Sequence, residues 1–153
     1  MARTGIIRTI GRILLGVFLI GAGVGHLTIL REAFQAQVPP WLPFDKDFVV
    51  LTSGVVEVLL GVAVLVVPQR PFGLPARVIV GWVVAAFFVA IFPGNISQLV
   101  TSVETVGLDD SIHLVVRLFF QPLLVAWALW STGAWKAWRV WANARRAAAT
   151  DGA

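Results

Sequence analysis

Residues 48–68 read FVVLTSGVVEVLLGVAVLVVP, a run of 21 residues in which Glu57 is the only charged side chain. A helix of this length crosses a hydrocarbon core of about 30 Å. A carboxylate near its middle costs roughly 2.5–3.5 kcal/mol on insertion scales, so Glu57 should face protein or water rather than lipid. Gly54 and Gly61 fall on the same helical face and allow another helix to approach closely. The stretch therefore predicts a membrane helix that buries an acidic group against its neighbours.

The composition of the 153-residue chain is typical of a protein with several membrane spans. Hydrophobic residues make up 58% of the chain and charged residues 13%, whereas ordinary soluble domains carry about 25% charged residues. The net charge is +4, but the basic residues lie at helix ends, where membrane topology explains them better than nucleic acid does. Cysteine is absent, which excludes disulfides, thiolate metal ligands and a thiol relay within the chain.

Four apolar runs predict an all-α bundle of four membrane helices, at about 12–30, 48–68, 77–100 and 112–132. The first run follows a short basic segment, as in a signal peptide, but it is long enough to span and is expected to be retained. Within it, Gly21 and Gly25 are four residues apart and predict close packing against another helix. The four helices are expected to form one domain, residues 1–133.

Residues 38–43, between the first two helices, read VPPWLP. Three prolines in this short stretch exclude a helix and favour an extended backbone. Non-helical backbone near a membrane is tolerated where protein covers it. We therefore expect a structured loop that roofs the bundle, with Pro39, Pro40, Trp41 and Pro43 as its roof residues.

Basic residues are distributed unevenly between the two ends of the predicted bundle. Nine of the 12 Lys and Arg lie in the N-terminal segment, the turn after the second helix and the C-terminal tail, residues 134–153. The positive-inside rule then predicts that both termini are cytoplasmic, in a plasma membrane, and that the proline-rich loop lies outside. The tail is predicted to be an amphipathic helix on an anionic leaflet, because basic residues alternate with Trp135, Trp138 and Trp141.

Five polar side chains on four helices are predicted to lie at similar depths beneath the proline-rich loop: His26, Glu57, Asn95, Arg117 and Gln121. Glu57 and Arg117 are the only charges at depth, so an ion pair between them is expected because a lone buried charge is unfavourable. Two interpretations stay open. The network could serve only to fix helix register, or it could surround a cavity that binds a polar or quinone-like headgroup, with its apolar part among Phe88, Phe92 and Phe119.

Other chemistries have less support in the sequence. Haem ligation by His26 and His113 would require two residues at different depths to face each other. A metal ion at His26 and Glu57 is disfavoured by the positive charge of Arg117. No hydrolase triad motif and no glycine-rich phosphate loop is present. We therefore assign no catalytic residue and no metal site, and a quinone or a lipid is the candidate ligand.

Five short motifs, taken in order, resemble the DoxX-like family of four-helix integral membrane proteins: Gly23-Val24-Gly25-His26, Val38-Pro39-Pro40-Trp41-Leu42-Pro43, Gly54 with Glu57, Phe92-Pro93-Gly94-Asn95, and Arg117-Leu118-Phe119-Phe120-Gln121-Pro122. The resemblance covers roughly residues 8–132 and departs at Leu27, where an aromatic residue often follows the histidine. It implies a four-helix bundle, a role for the same five polar residues and an association with membrane redox complexes. The family name derives from a subunit associated with a quinone-reducing thiosulfate oxidoreductase.

These observations predict an accessory or ligand-binding membrane subunit rather than an enzyme that acts alone. One alternative is a quinone-interacting component of a membrane oxidoreductase complex, in which a partner or bound quinone would carry the electrons. A second alternative is a membrane-protein assembly factor that uses its helix faces and basic tail. The expected partners are the lipid bilayer and either other membrane subunits or further copies of the chain, with no nucleic acid.

Overall fold

The computed structural model describes residues 2–69, 75–106 and 112–151. In these ranges the chain forms six helices and no strand: α1 (Ala2–Leu27), α2 (Arg31–Gln35), α3 (Lys46–Val66), α4 (Ala76–Val106), α5 (Ile112–Thr132) and α6 (Ala134–Asp151). Four of them, α1, α3, α4 and α5, are long and apolar enough to cross a membrane. The all-helical class and the four candidate spans therefore agree with the prediction from sequence.

The outer faces of the four long helices are apolar. Only 22% to 33% of the most apolar window of each span is buried inside the protein. The exposed side chains include Leu14, Leu59, Val89 and Leu123, one from each helix. Continuous apolar surface of this kind is unfavourable in water. By helix length and composition the chain is a membrane protein whose outer faces suit hydrocarbon.

Helices α1 and α3 pack as a close antiparallel pair through glycines. A Cβ at Gly23 would lie 2.6 Å from the carbonyl oxygen of Gly54, and a Cβ at Gly61 would lie 2.8 Å from that of Gly16. Such approaches are possible only because these positions have no side chain. The packing face predicted for α3 is therefore the face that contacts α1.

The glycines of α1 that pack against α3 are not the two that the sequence predicts. A Cβ at Gly21 would meet nothing within 4 Å, and one at Gly25 would meet only the side chain of Leu30. Gly16 and Gly23 take that role because they lie on the side of α1 that faces α3. The prediction for Gly21 and Gly25 was wrong because a four-residue spacing does not reveal which face of the helix meets its neighbour.

Helices α4 and α5 form the second antiparallel pair. Gly81, near the start of α4, packs against Thr132 at the end of α5, and Asn95 hydrogen-bonds Gln121 further along. An apolar core joins the two pairs, with contributions from Leu15, Leu19, Val64, Val84, Phe88, Ala128 and Leu129. This core lies toward the start of α1. It leaves the opposite half, where α1 ends and α3 begins, free for polar residues; we refer to it as the loop half.

Three helix boundaries differ from the prediction. Helix α1 begins at Ala2 rather than near residue 12. Helix α1 ends at Leu27 rather than near residue 30, because the chain turns back and the Leu30 N–H donates to the carbonyl of Gly25 over 3.1 Å. Helix α4 continues through Pro93 to Val106 instead of ending near residue 100. Proline removes one backbone donor, which a helix packed against neighbours tolerates. Connectors are predicted between the second and third helices and between the third and fourth, and their residues 70–74 and 107–111 lie outside the described residues.

Helix α2 and the loop after it cross over the loop half. The Arg31 guanidinium bonds the Asp47 carboxylate, and Gln35 Nε2 donates to Asp47 Oδ1 over 3.1 Å. The hydrogen bond to Asp47 raises the pKa of Arg31 above its usual value, so Arg31 and Asp47 both stay charged in this contact. Asp45 caps α3 by accepting from the Phe48 N–H. These contacts hold α2, which was expected to be loop, against the first turn of α3.

The tail forms helix α6, which is separated from α5 by a left-handed residue. Gly133 has φ 81°, a conformation that glycine adopts without strain. The next residue, Ala134, is buried and lies 3.2 Å from the position of a Cβ built on Gly81. Helix α6 therefore packs on the end of the bundle opposite the loop half, and its tryptophans Trp135, Trp138 and Trp141 are exposed.

Candidate functional site

The loop half of the bundle contains a cavity of about 810 Å³ between the two helix pairs. Its size falls in the range of small-molecule sites, roughly 300–1,000 Å³. The five polar residues singled out from the sequence all line it: His26, Glu57, Asn95, Arg117 and Gln121. The polar side chains therefore surround a space rather than packing solidly against one another.

The cavity is covered by α2 and by the residues that follow it. Phe34, Gln37, Val38, Pro39, Trp41 and Leu42 contribute to its wall. Of the four predicted roof residues, Pro39 and Trp41 line the cavity, whereas Pro40 and Pro43 are exposed outside it. Gly94 lets α4 approach this cover, because a Cβ there would lie 2.7 Å from the carbonyl oxygen of Gln37.

His26 and Glu57 face each other where α1 and α3 meet. Nδ1 of His26 lies 2.7 Å from Oε2 of Glu57, and the two residues are only 8% and 5% exposed. The distance suits a hydrogen bond but the direction does not, since neither atom has a properly oriented partner. Buried polar atoms are almost always hydrogen-bonded. Here the two atoms face each other and leave almost no surface for a ligand, so they form the polar part of the α1–α3 contact beside the cavity.

Arg117 reaches from α5 to the cover and to α4. Its Nη2 donates to Oε1 of Gln37 over 2.7 Å, and its Nη1 donates to Oε1 of Gln98 over 3.2 Å. Its guanidinium carbon also lies 5.9 Å from the centre of the Phe34 ring. Two amide oxygens and an aromatic face therefore surround the cation.

The direct ion pair expected between Glu57 and Arg117 is not the arrangement found among the described residues. Glu57 contacts His26, and Arg117 donates to Gln37 and Gln98. The physical reason is that α2 folds back over the cavity and brings Gln37 to Arg117. The ring of Phe34 also lies 3.7 Å from that of His26, centre to centre. The two charges still share one cavity, but each has a nearer partner.

Asn95 and Gln121 form a satisfied amide pair between α4 and α5. Asn95 Nδ2 donates to Oε1 of Gln121 over 3.1 Å, and Gln121 Nε2 donates to the carbonyl oxygen of Phe88 over 2.8 Å. Both side chains are buried. Since these bonds fix both amides, the pair serves as a rigid part of the wall and holds the two helices in register.

The apolar part of the wall differs from the prediction in two of three aromatic residues. Phe88 is buried and lines the cavity, whereas Phe92 and Phe119 do not belong to its wall, and Phe119 is 71% exposed. The lining residues of α5 recur every three or four positions, as on one helical face: His113, Val116, Arg117, Phe120, Gln121, Leu124 and Trp127. Phe119 falls outside this face.

Three residues of the candidate site, Phe34, Gln37 and Gln98, were not predicted from the sequence. Phe34 and Gln37 reach the cavity only because α2 folds back over it. No local sequence pattern indicates that α2 takes this position. Gln98, by contrast, lies three residues after Asn95 on α4, and this helical spacing could have identified it. Among the described residues, no group of three or more His, Cys, Asp or Glu side chains is placed to hold a metal ion.

One family model matches the chain, over residues 15–132, and its description is "Domain of unknown function (DUF8561)". No curated protein and no solved structure matches. The matched range runs from Leu15 in α1 to Thr132 at the end of α5, so it contains every residue that lines the cavity. The resemblance to the DoxX-like proteins stays a prediction.

Proposed function

The chain belongs to the DUF8561 family, and we propose that it binds a small amphiphilic molecule whose uncharged headgroup occupies the cavity. The observation that carries this proposal is the cavity of about 810 Å³, whose wall contains the side chains of His26, Glu57, Asn95, Arg117 and Gln121 among apolar residues. A ligand hydroxyl suits such a wall, because a hydroxyl both donates and accepts.

The charges of the cavity wall favour a neutral headgroup. Glu57 and Arg117 carry opposite charges, and Arg117 already donates to two amide oxygens. Because these two charges already balance, a charged headgroup would leave a net buried charge in the cavity, which is unfavourable. Alcohol and carbonyl groups therefore suit this wall better than carboxylate or phosphate groups do.

The path for an apolar chain lies between α1 and α5. Phe18 of α1 and Val116 and Phe120 of α5 line the cavity and are 45% to 55% exposed. We infer a lateral opening between these two helices from their exposure. Below it the two helices close, since Trp127 Nε1 donates to the carbonyl of Gly11 over 2.9 Å. This opening supports a ligand with an apolar tail that extends into the bilayer.

A quinone is the second candidate headgroup, favoured by the position of Phe34. The Phe34 ring lies against both His26 and Arg117, and a flat ring could stack on it while its carbonyls accept from these donors. In that case the protein would be a quinone-binding component of a membrane redox complex, and a partner would supply the electrons. An assembly role, with other subunits or further copies of the chain, is a separate prediction.

The orientation we propose puts both termini in the cytoplasm and the loop half outside the plasma membrane. The bias of nine basic residues against two supports it. Basic side chains also gather where α3 ends: Arg12 donates to the carbonyl oxygens of Val64 and Leu65, and Arg77 donates to that of Val67. The cavity would then take its ligand from the outer leaflet.

The test compares two phenylalanine substitutions on α1. Ala22 lies four residues from both Phe18 and His26 and lines the cavity with them, so Ala22→Phe fills the space. Val24→Phe adds the same ring on the exposed face. Small molecules that remain bound after purification in mild detergent are extracted and identified by mass spectrometry.

We expect wild type and Val24→Phe to retain the same amphiphile, and Ala22→Phe to lose it while its helix content stays unchanged. Arg117→Gln, which keeps the volume of the cavity largely intact, should lower retention. The proposal is wrong if wild type retains no such molecule, or if Ala22→Phe and Arg117→Gln retain it as well as Val24→Phe does.

A further inference from the structure

A second groove lies at the end of the molecule opposite the cavity. Its volume is about 380 Å³, and it is lined by Arg8 of α1 together with Trp135, Lys136, Arg139, Val140 and Asn143 of α6. It shares no residue with the larger cavity. The lining residues of α6 recur at helical spacing, so one face of α6 meets the start of α1. Half of the lining residues are cations, and none is acidic.

Within the part of the chain that the structure describes, no hydrogen bond or ion pair is found for the three cations of this groove, Arg8, Lys136 and Arg139. The carboxylates found in contact with a basic side chain among the described residues are Glu57, beside His26, and Asp47, beside Arg31, and both lie in the loop half. Arg12, one turn along α1 from Arg8, is different, because its guanidinium donates to backbone carbonyls of α3. Cations brought together without a counter-charge repel each other, so an anion in the groove would be stabilised.

We propose that this groove binds the phosphate headgroup of one anionic phospholipid molecule. Arg8, Lys136 and Arg139 supply the positive charge, and the Asn143 amide supplies a further donor. The apolar side chains of Trp135 and Val140 beside them are exposed. Tryptophan is typical of the headgroup level of a membrane, and basic residues there attract anionic lipids. A phospholipid can contact both the cations and the apolar side chains of the groove, whereas free phosphate can contact only the cations.

The experiment uses two double variants of α6 that remove the same charge. Lys136→Gln with Arg139→Gln removes two cations from the groove, and Arg145→Gln with Arg146→Gln removes two from the same helix outside it. Each protein, in a neutral detergent, is titrated with phosphatidylglycerol or phosphatidylcholine. Native mass spectrometry then measures the affinity for the first bound lipid.

We expect wild type and the Arg145/Arg146 variant to bind phosphatidylglycerol with similar affinity and phosphatidylcholine far more weakly. The Lys136/Arg139 variant should bind phosphatidylglycerol about tenfold more weakly or worse, given the usual contribution of each cation near an anionic surface. Arg8→Gln, which lies on a different helix, should weaken binding by a smaller factor and serves as the second variant if the double variant does not fold.

Three results would overturn the proposal. An equal loss in both double variants would mean diffuse attraction by the whole tail rather than a site. Unchanged affinity in Lys136/Arg139 and in Arg8→Gln would exclude the groove. Displacement of phosphatidylglycerol by an excess of inorganic phosphate, at constant ionic strength, would mean that the groove takes free phosphate instead of a lipid.

Discussion

At the scale of single residues, the chemistry of the cavity depends on the partner of Glu57. A carboxylate that is 5% exposed needs a nearby donor or cation. His26 occupies that position, with 2.7 Å between Nδ1 and Oε2. An imidazole nitrogen can donate or accept, whereas a guanidinium only donates. The wall therefore contains an imidazole beside the carboxylate, while Arg117 is held by Gln37 and Gln98.

A comparison of two double-mutant cycles tests this pairing. One cycle combines His26→Gln with Glu57→Gln, and the other combines Glu57→Gln with Arg117→Gln. We expect the first pair to have the larger coupling energy, of about 0.5–3 kcal/mol, because its atoms are in contact. Free energies of unfolding in detergent give both values. A larger coupling for Glu57 with Arg117 would instead restore the direct ion pair predicted from the sequence.

At the scale of elements, the glycine contact between α1 and α3 positions the polar pair. A Cβ at Gly54 would lie 2.8 Å from Cβ of His26, so a side chain there would displace His26 from Glu57. The other helix pair is positioned by polar contacts instead, through Asn95 and Gln121. The short helix α2 completes the site, because it carries Phe34 to the cavity. Backbone contacts therefore determine the geometry of the side chains that line the cavity.

Two alanine substitutions on α1 test the glycine contact. Alanine favours a helix over glycine by up to about 1 kcal/mol, and Gly21→Ala meets nothing within 4 Å, so it should leave stability unchanged or raise it. Gly23→Ala puts its Cβ 2.6 Å from the Gly54 carbonyl oxygen and should destabilise by about 1–3 kcal/mol. Thermal unfolding followed by circular dichroism measures both. Equal melting temperatures would contradict the close approach of α1 and α3.

At the scale of the whole molecule, the two candidate sites lie at opposite ends of a common apolar core. The cavity occupies the loop half, and the basic groove lies between the start of α1 and α6. The core residues between them, such as Leu19, Val84 and Ala128, are fully buried. In the proposed orientation the cavity faces the outer leaflet and the groove faces the inner leaflet. The two sites then meet different lipid populations.

Single-cysteine labelling tests the orientation, and the absence of native cysteine makes it unambiguous. Glu32→Cys on α2 and Ala148→Cys on α6 both introduce the thiol at an exposed position. Because of the positive-inside bias, we expect a membrane-impermeant maleimide to label only Glu32→Cys in intact cells. Both should be labelled after the membrane is permeabilised. Labelling of Ala148→Cys from outside would reverse or exclude the proposed topology.

The sequence by itself determined the number of candidate spans and the half of the bundle that holds the polar residues. Hydropathy is a local property, and each helical residue rises by a constant 1.5 Å. Counting along α1, α3, α4 and α5 was therefore enough to group five residues that line one cavity: His26, Glu57, Asn95, Arg117 and Gln121. Only the tertiary structure decided which of these side chains face each other. Helix rotation depends on where two backbones approach, here Gly23 with Gly54, and hydropathy does not encode it. The fold of α2 likewise depends on distant contacts to Asp47 and Arg117, so the partner of Glu57 could not be read from the chain alone.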